Sequence, residues 1–213
     1  MLFFIAFLVF FLIIGVNWWF GAWNCLLNLM NFFLAALVAS SFYENVSAQI
    51  TGFDSTYILI ADFVSVWLLF VVVFVMLRLI TDLLSRYQMK LDPWLDYTAR
   101  GVFSAWLAGA FLCFAFFTLQ MAPLPPGSLP SDPASPTLGI GPERAWLSFI
   151  QSRSRGALSE SKQSSLFPAY TLIDHPDDAN LNARVFDPGA TFLFDNQSRR
   201  NRISNNKYLR TGE

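Results

Sequence analysis

Charge is the scarcest property of this 213-residue sequence: Asp, Glu, Lys and Arg make up 14% of it, against about 25% in an ordinary soluble domain. That deficit argues against a water-soluble globule and for a membrane protein. Positive charge is not in excess either. The formal net charge is -1 and no basic face is clustered, so no nucleic-acid partner is assigned. Cysteine is limited to Cys25 and Cys113, each inside an apolar run, where a thiol acts as a small hydrophobe and implies no disulfide framework. There is no glycine-rich phosphate loop, Gly-x-Ser-x-Gly elbow, Cys-x-x-Cys or His-Glu-x-x-His pattern. The single histidine, His175, stands in Asp174-His175-Pro176-Asp177-Asp178 without zinc-type spacing and reads as an acidic turn. No catalytic residue, metal ligand or cofactor is assigned, and the expectation is a protein that is not an enzyme.

Apolar residues make up 54% of the chain, with 23 Phe, and they are unevenly distributed. Residues 1–122 hold 18 of those Phe and only ten charges, six acidic and four basic. Between 123 and 142 stand seven of the eleven prolines, mixed with Ser and Gly, a composition that makes a semi-rigid linker. Residues 143–213 are polar. The expected architecture is therefore an all-α membrane protein. It has a four-helix transmembrane domain over 1–122, a Pro-rich linker over 123–142, and a mostly irregular polar tail over 143–213 with one short helix.

A spanning helix needs about 20 apolar residues to cross about 30 Å of hydrocarbon. Residues 2–43 are too long for one such helix, and the Gly15 to Gly21 stretch with Trp18 and Trp19 suits an interfacial turn. Dividing there predicts helices at about 2–20 and 22–43. A third is expected over 57–77, with an amphipathic extension to 86 in which Arg78, Asp82 and Arg86 form an i, i+4, i+8 ladder. Asp92-Pro93 suits an N-cap and first helical position, and the fourth helix is expected over 100–121. In the tail, Pro142 and Glu143 open a short helix whose Trp146, Phe149 and Ile150 share a face suited to docking on the membrane surface or a partner. The run Ser198-Arg199-Arg200-Asn201-Arg202 reads as a solvated basic cluster at a frayed end.

Short-loop bases set the expected topology. Residues 78–100 carry Arg78, Arg86, Lys90 and Arg100, whereas 44–56 carry none. The positive-inside rule then makes the 78–100 loop cytoplasmic and places the N terminus and the C-terminal tail outside.

Three features stand out inside the apolar unit. Asp62 is the one carboxylate well within a predicted span. It is either part of an ion or proton pathway, or a near-interface acid solvated from outside or bonded to a neighbouring helix. Asn24, Asn28 and Asn31 form an i, i+4, i+7 stripe that either holds helices together by interhelical hydrogen bonds or lines a polar path. Gly101, Ala105 and Gly109, with a second seam from Ser104 and Ala108, let helix backbones approach closely, which predicts a tight interface between the second and fourth helices or between copies.

The Gly15 to Gly21 turn, the long third helix running into an amphipathic stretch, and Leu95-Asp96 leading to Gly101 and Phe103 resemble the colicin V production protein family (CvpA) over about residues 1–122. This chain differs from the family pattern in carrying Trp18, Trp19 and Phe20 where an arginine usually accompanies the second glycine, and Ser104 in place of another glycine. The resemblance implies a multi-pass protein of the bacterial inner membrane, with a role in colicin production or export and in envelope physiology. Its partners would be the lipid bilayer and possible further copies or other membrane proteins. Two alternatives stand beside that reading: an oligomeric channel or transporter subunit using Asp62 and the Asn24, Asn28 and Asn31 stripe, and a membrane-anchored tail that binds an extracytoplasmic partner.

Overall fold

The computed structural model describes residues 2–53, 60–84, 92–122, 137–154 and 191–205. All regular structure among the described residues is helical: α1 (Leu2–Trp18), α2 (Ala22–Phe53), α3 (Ala61–Leu84), α4 (Pro93–Met121), a 3-10 turn (Thr137–Gly139), α5 (Pro142–Ser154) and α6 (Phe192–Asn205). Three of these, α2, α3 and α4, are long and apolar enough to cross a membrane, and α1 is a shorter apolar helix of 17 residues.

The α1–α2 connection is a tight turn at Trp19–Gly21. Gly15 lies inside α1, where an isolated glycine is tolerated because the helix satisfies its own backbone groups. Phe20 N–H donates to Asn17 O at 3.0 Å, and Gly21 takes φ +83°, a left-handed conformation in which any Cβ is strained. The Cys25 N–H then donates to Gly21 O and α2 begins.

Two boundaries differ from the sequence expectation. The second helix continues ten residues past 43 to Phe53, because Tyr43 and Ser47 are buried and keep the chain packed. The fourth starts at Pro93 rather than near 100, since nothing between 93 and 100 breaks a helix. Asp92 precedes Pro93 without a side-chain capping bond. The amphipathic residues from Arg78 onward continue α3 to Leu84 as one helix, whereas Arg86 and Lys90 lie outside the described residues.

Interhelical bonds give the directions. Cys25 lies near Ser104 and Phe32 near Phe114, so α2 and α4 run parallel. Ser47 meets Asp62 at one end and Asn31 meets Thr81 at the other, so α3 runs against α2. The widest helix interface is that of α2 with α3, while α1 leans chiefly on α4. The centre is aromatic. Phe32 is 5.6 Å from Phe70 and 6.0 Å from Phe114, and Phe70 and Phe114 lie 5.0 Å apart, centroid to centroid. Since lipid is as apolar as these rings, close packing and ring geometry carry the association. The outward faces of α1 and α3 stay exposed, with Phe4, Phe11, Val72 and Met76 presented to the surroundings, as lipid contact requires.

The polar segment returns to this bundle. In α5, Trp146, Leu147 and Ile150 are buried, and the Trp146 indole N–H donates to Ser40 Oγ on α2 at 3.3 Å. Its ring lies 5.4 Å from Phe114. The short tail helix therefore docks on α2 and α4 of its own chain. The tail is also more helical than expected: α6 packs Phe192 on Phe117 at 5.2 Å and takes in the basic run Arg199 to Arg202.

Phe114 is fully buried and packs against five aromatic rings, those of Phe32, Trp67, Phe70, Phe117 and Trp146. Replacing it with Ala is expected to lower stability by about 3–5 kcal/mol, whereas Phe11→Ala on the outward face of α1 is expected to change it by under about 1 kcal/mol. Equilibrium unfolding of both variants in mixed detergent micelles measures the difference.

Candidate functional site

The polar groups of the apolar unit gather in two layers near opposite ends of the helices. The first is a chain of side-chain bonds joining α1, α2 and α3. Asn17 stands in the last turn of α1 and is buried, its amide donating to Ile13 O at 3.0 Å. Its Oδ1 accepts from the Asn28 amide on α2 at 3.1 Å, and Asn28 Oδ1 accepts from Arg78 Nη1 on α3 at 2.6 Å. The Arg78 guanidinium also pairs with Asp82, Nε to Oδ2 at 3.1 Å. Beside it, the Asn31 amide donates to Thr81 Oγ1 at 3.0 Å. Both ends of the Asn28 amide are thus used across helices, so it bridges an amide and a cation. Satisfied networks of this kind are stronger in a low-dielectric setting, and breaking one partner strands the others.

Continuous with this layer is the turn that starts α2. The first N–H of that helix, on Ala22, donates to Asp96 Oδ1 on α4 at 3.1 Å. The anion sits at the positive end of the helix dipole. Arg100 in turn pairs with Asp96, and its Nη1 reaches Trp18 O at 3.4 Å. The Arg100 guanidinium lies 5.4 Å from the Tyr97 ring centroid. The Leu95-Asp96 pair of the family resemblance therefore has a physical role: its acid caps a helix supplied from 74 residues earlier.

The second layer is smaller. Asp62 stands in the first turn of α3 and accepts a bond from Ser47 Oγ on α2. It faces its neighbouring helix. Sixteen residues separate Asp62 from Arg78, about 24 Å along α3, so the two layers are separated by most of a hydrocarbon thickness.

The sequence candidates divide accordingly. Asn28 and Asn31 join the first layer, while Asn24 turns back to its own helix start, its amide donating to Phe20 O at 2.9 Å. Arg78 and Arg100 are both ion-paired. The small-residue stripe does not form the α2–α4 seam: a Cβ on Gly101 would face Trp18 on α1, and Ala105 and Gly109 line a cavity shared with α5. The second seam takes that place, with Ser104 and Ala108 fully buried and Ser104 Oγ donating to Cys25 Sγ at 3.6 Å. Asn17, Thr81 and the capping role of Asp96 were missed from the sequence. A lone amide at the end of an apolar run was the available sign for Asn17; Thr81 has no comparable signal. No group of three His, Cys, Asp or Glu converges among the described residues, and His175 lies outside them.

Asn28→Leu is expected to cost about 1–2 kcal/mol by stranding Asn17 and Arg78, whereas Asn24→Leu, whose bond stays within its own helix start, is expected to cost under about 0.5 kcal/mol. Denaturation in graded dodecyl sulfate ranks the two; equal losses would remove the bridge from its central place.

A family model described as colicin V production protein matches residues 2–135, more than half of the chain. No curated protein and no solved structure matches it.

Proposed function

We infer the role from one premise: this chain belongs to the colicin V production protein family. The family and the apolar helices fit a membrane protein. On that basis the chain is a multi-pass component of the bacterial inner membrane, non-enzymatic, acting in colicin production or export and more broadly in envelope physiology. α1 serves as a fourth span. Its 17 residues rise about 26 Å, and Asn17 anchors its end in the same polar layer as α2 and α3. The helices then alternate in direction, with the Arg78 to Arg100 side cytoplasmic and the segment after α4 starting outside.

The observation that carries the reading is how the intramembrane polar groups are used. Asn28, Asn31 and Asp62 each bond to a neighbouring helix, which is what a packed scaffold needs. A pathway within one copy would have to join Asp62 to the Asn28 layer, about 24 Å away, through a centre filled by Phe32, Phe70 and Phe114. The alternative of a free partner-binding tail meets α5, whose Trp146 and Leu147 are buried against the bundle. Residues 142–154 therefore behave as part of the membrane unit.

Three measurements bear on this. In a colicin V-producing strain lacking the endogenous protein, expression of the wild type is expected to restore toxin release, and Asn28→Leu to restore it less. Purified protein in vesicles is expected to carry no proton or cation flux above empty vesicles, with Asp62→Asn unchanged; flux lost on that substitution would favour the channel reading. An alkaline phosphatase fused after Met121 is expected to be active, and a fluorescent protein that matures only in the cytoplasm to stay dark there.

A further inference from the structure

Between α4 and α5 lies a cavity of about 440 Å³, roughly three times the size of an apolar void of about 150 Å³ that admits benzene. Its walls are apolar: Phe33 from α2, Gly109 and Cys113 from α4, Trp146 and Phe149 from α5. Small residues open it, since a Cβ on Gly109 would meet nothing within 4 Å. It follows α4 from Ala105 to Cys113, about 12 Å along the helix axis. Trp106, half exposed on the outer surface of α4, borders it.

Among the described residues one charged side chain lines this space, Arg153. Its position follows from the direction of α5. Trp146 reaches Ser40 as well as Phe33 on α2, whereas Phe149 packs on Phe33, lower on that helix. α5 therefore runs toward the N-terminal ends of α2 and α4, and Arg153, a turn further on, lies toward Trp106, which is about 9 Å from Arg100 along α4. The guanidinium rests 5.6 Å from the Phe149 ring centroid and has no ion pair among the described residues.

The cavity is thus elongated along a spanning helix, predominantly apolar, and marked by a cation at the end nearer the charged layer. A bilayer lipid has the same polarity pattern, with its chain along the membrane normal and its phosphate at the interface. We propose that this cavity holds one acyl chain of an anionic phospholipid, with the headgroup phosphate on Arg153. A peptide is a poor occupant, because its backbone N–H and C=O groups would find no partners on these walls. The assignment rests on α4 crossing the bilayer and goes beyond the family role, and its test reads lipid retention, independently of toxin release.

The experiment uses the full chain in detergent with tritiated dioleoylphosphatidylglycerol, followed by gel filtration. About one lipid per chain is expected to be retained, displaced by excess unlabelled phosphatidylglycerol but not by equal phosphatidylcholine or free oleate. Arg153→Gln is expected to weaken retention about tenfold, the scale of one charged hydrogen-bond contact. Gly109→Leu, which fills the chain space, is expected to do the same; if its far-UV circular dichroism falls, Ala105→Leu is the deciding variant. Unsaturable uptake, equal displacement by phosphatidylcholine or oleate, or wild-type retention by Arg153→Gln or by the folded cavity-filling variant would overturn the proposal.

Discussion

The bridge through Asn28 sets the terms for the helices around it. A half-buried carboxamide held between helices is best satisfied by both an acceptor and a donor, and here Asn17 supplies one and Arg78 the other. That requirement fixes the rotation of α1, α2 and α3 at one end, which apolar packing alone does poorly because many rotations of a leucine-rich helix pack about equally well. Asp82 completes the arrangement by balancing the Arg78 charge. With the Asn28 end pinned, Phe32, one turn further along α2, is aimed at Phe70 and Phe114, so polar registration and aromatic packing reinforce each other.

Asp96 does for the helix start what Asn28 does for the helix faces. An uncapped N-terminus in a low-dielectric setting leaves N–H groups unsatisfied, and the carboxylate of α4 takes the first of them. Arg100 then offsets the anion and reaches back to α1. The turn between α1 and α2, which carries no charge of its own, is thereby joined electrostatically to a helix far along the chain.

Much of this was legible in the residues, in the parts governed by local chemistry. Hydropathy marked the apolar runs, proline density marked the composition break, and the i, i+4, i+7 spacing marked the Asn stripe. What it could not supply was which neighbour each face meets. The Gly101, Ala105 and Gly109 stripe was visible as a small-residue face, but its direction depends on where α1 and α5 lie, and those positions are set by contacts distant in sequence. Asp62 was ambiguous for the same reason: its meaning turned on Ser47, fifteen residues earlier and on another helix. Trp146, Phe149 and Ile150 announced a docking face, yet only Ser40 and Phe33 identify its surface. The end expected near 43 failed because packing of Tyr43 and Ser47 carries α2 onward, and the start expected near 100 failed because hydropathy marks the apolar run, whereas the helix itself begins at the Asp92-Pro93 signal.

The cap on α2 also imposes an order of events during synthesis. Ala22 is made 74 residues before the Asp96 that completes it, an interval of about 4–15 s at ordinary elongation rates of about 5–20 residues per second. Through that interval the first hairpin has to persist with its turn unfinished, held by Gly21, Asn17 and Asn28 alone. The closing step for this hairpin therefore belongs to the last long apolar helix: its arrival supplies the missing carboxylate and converts a provisional turn into a locked one.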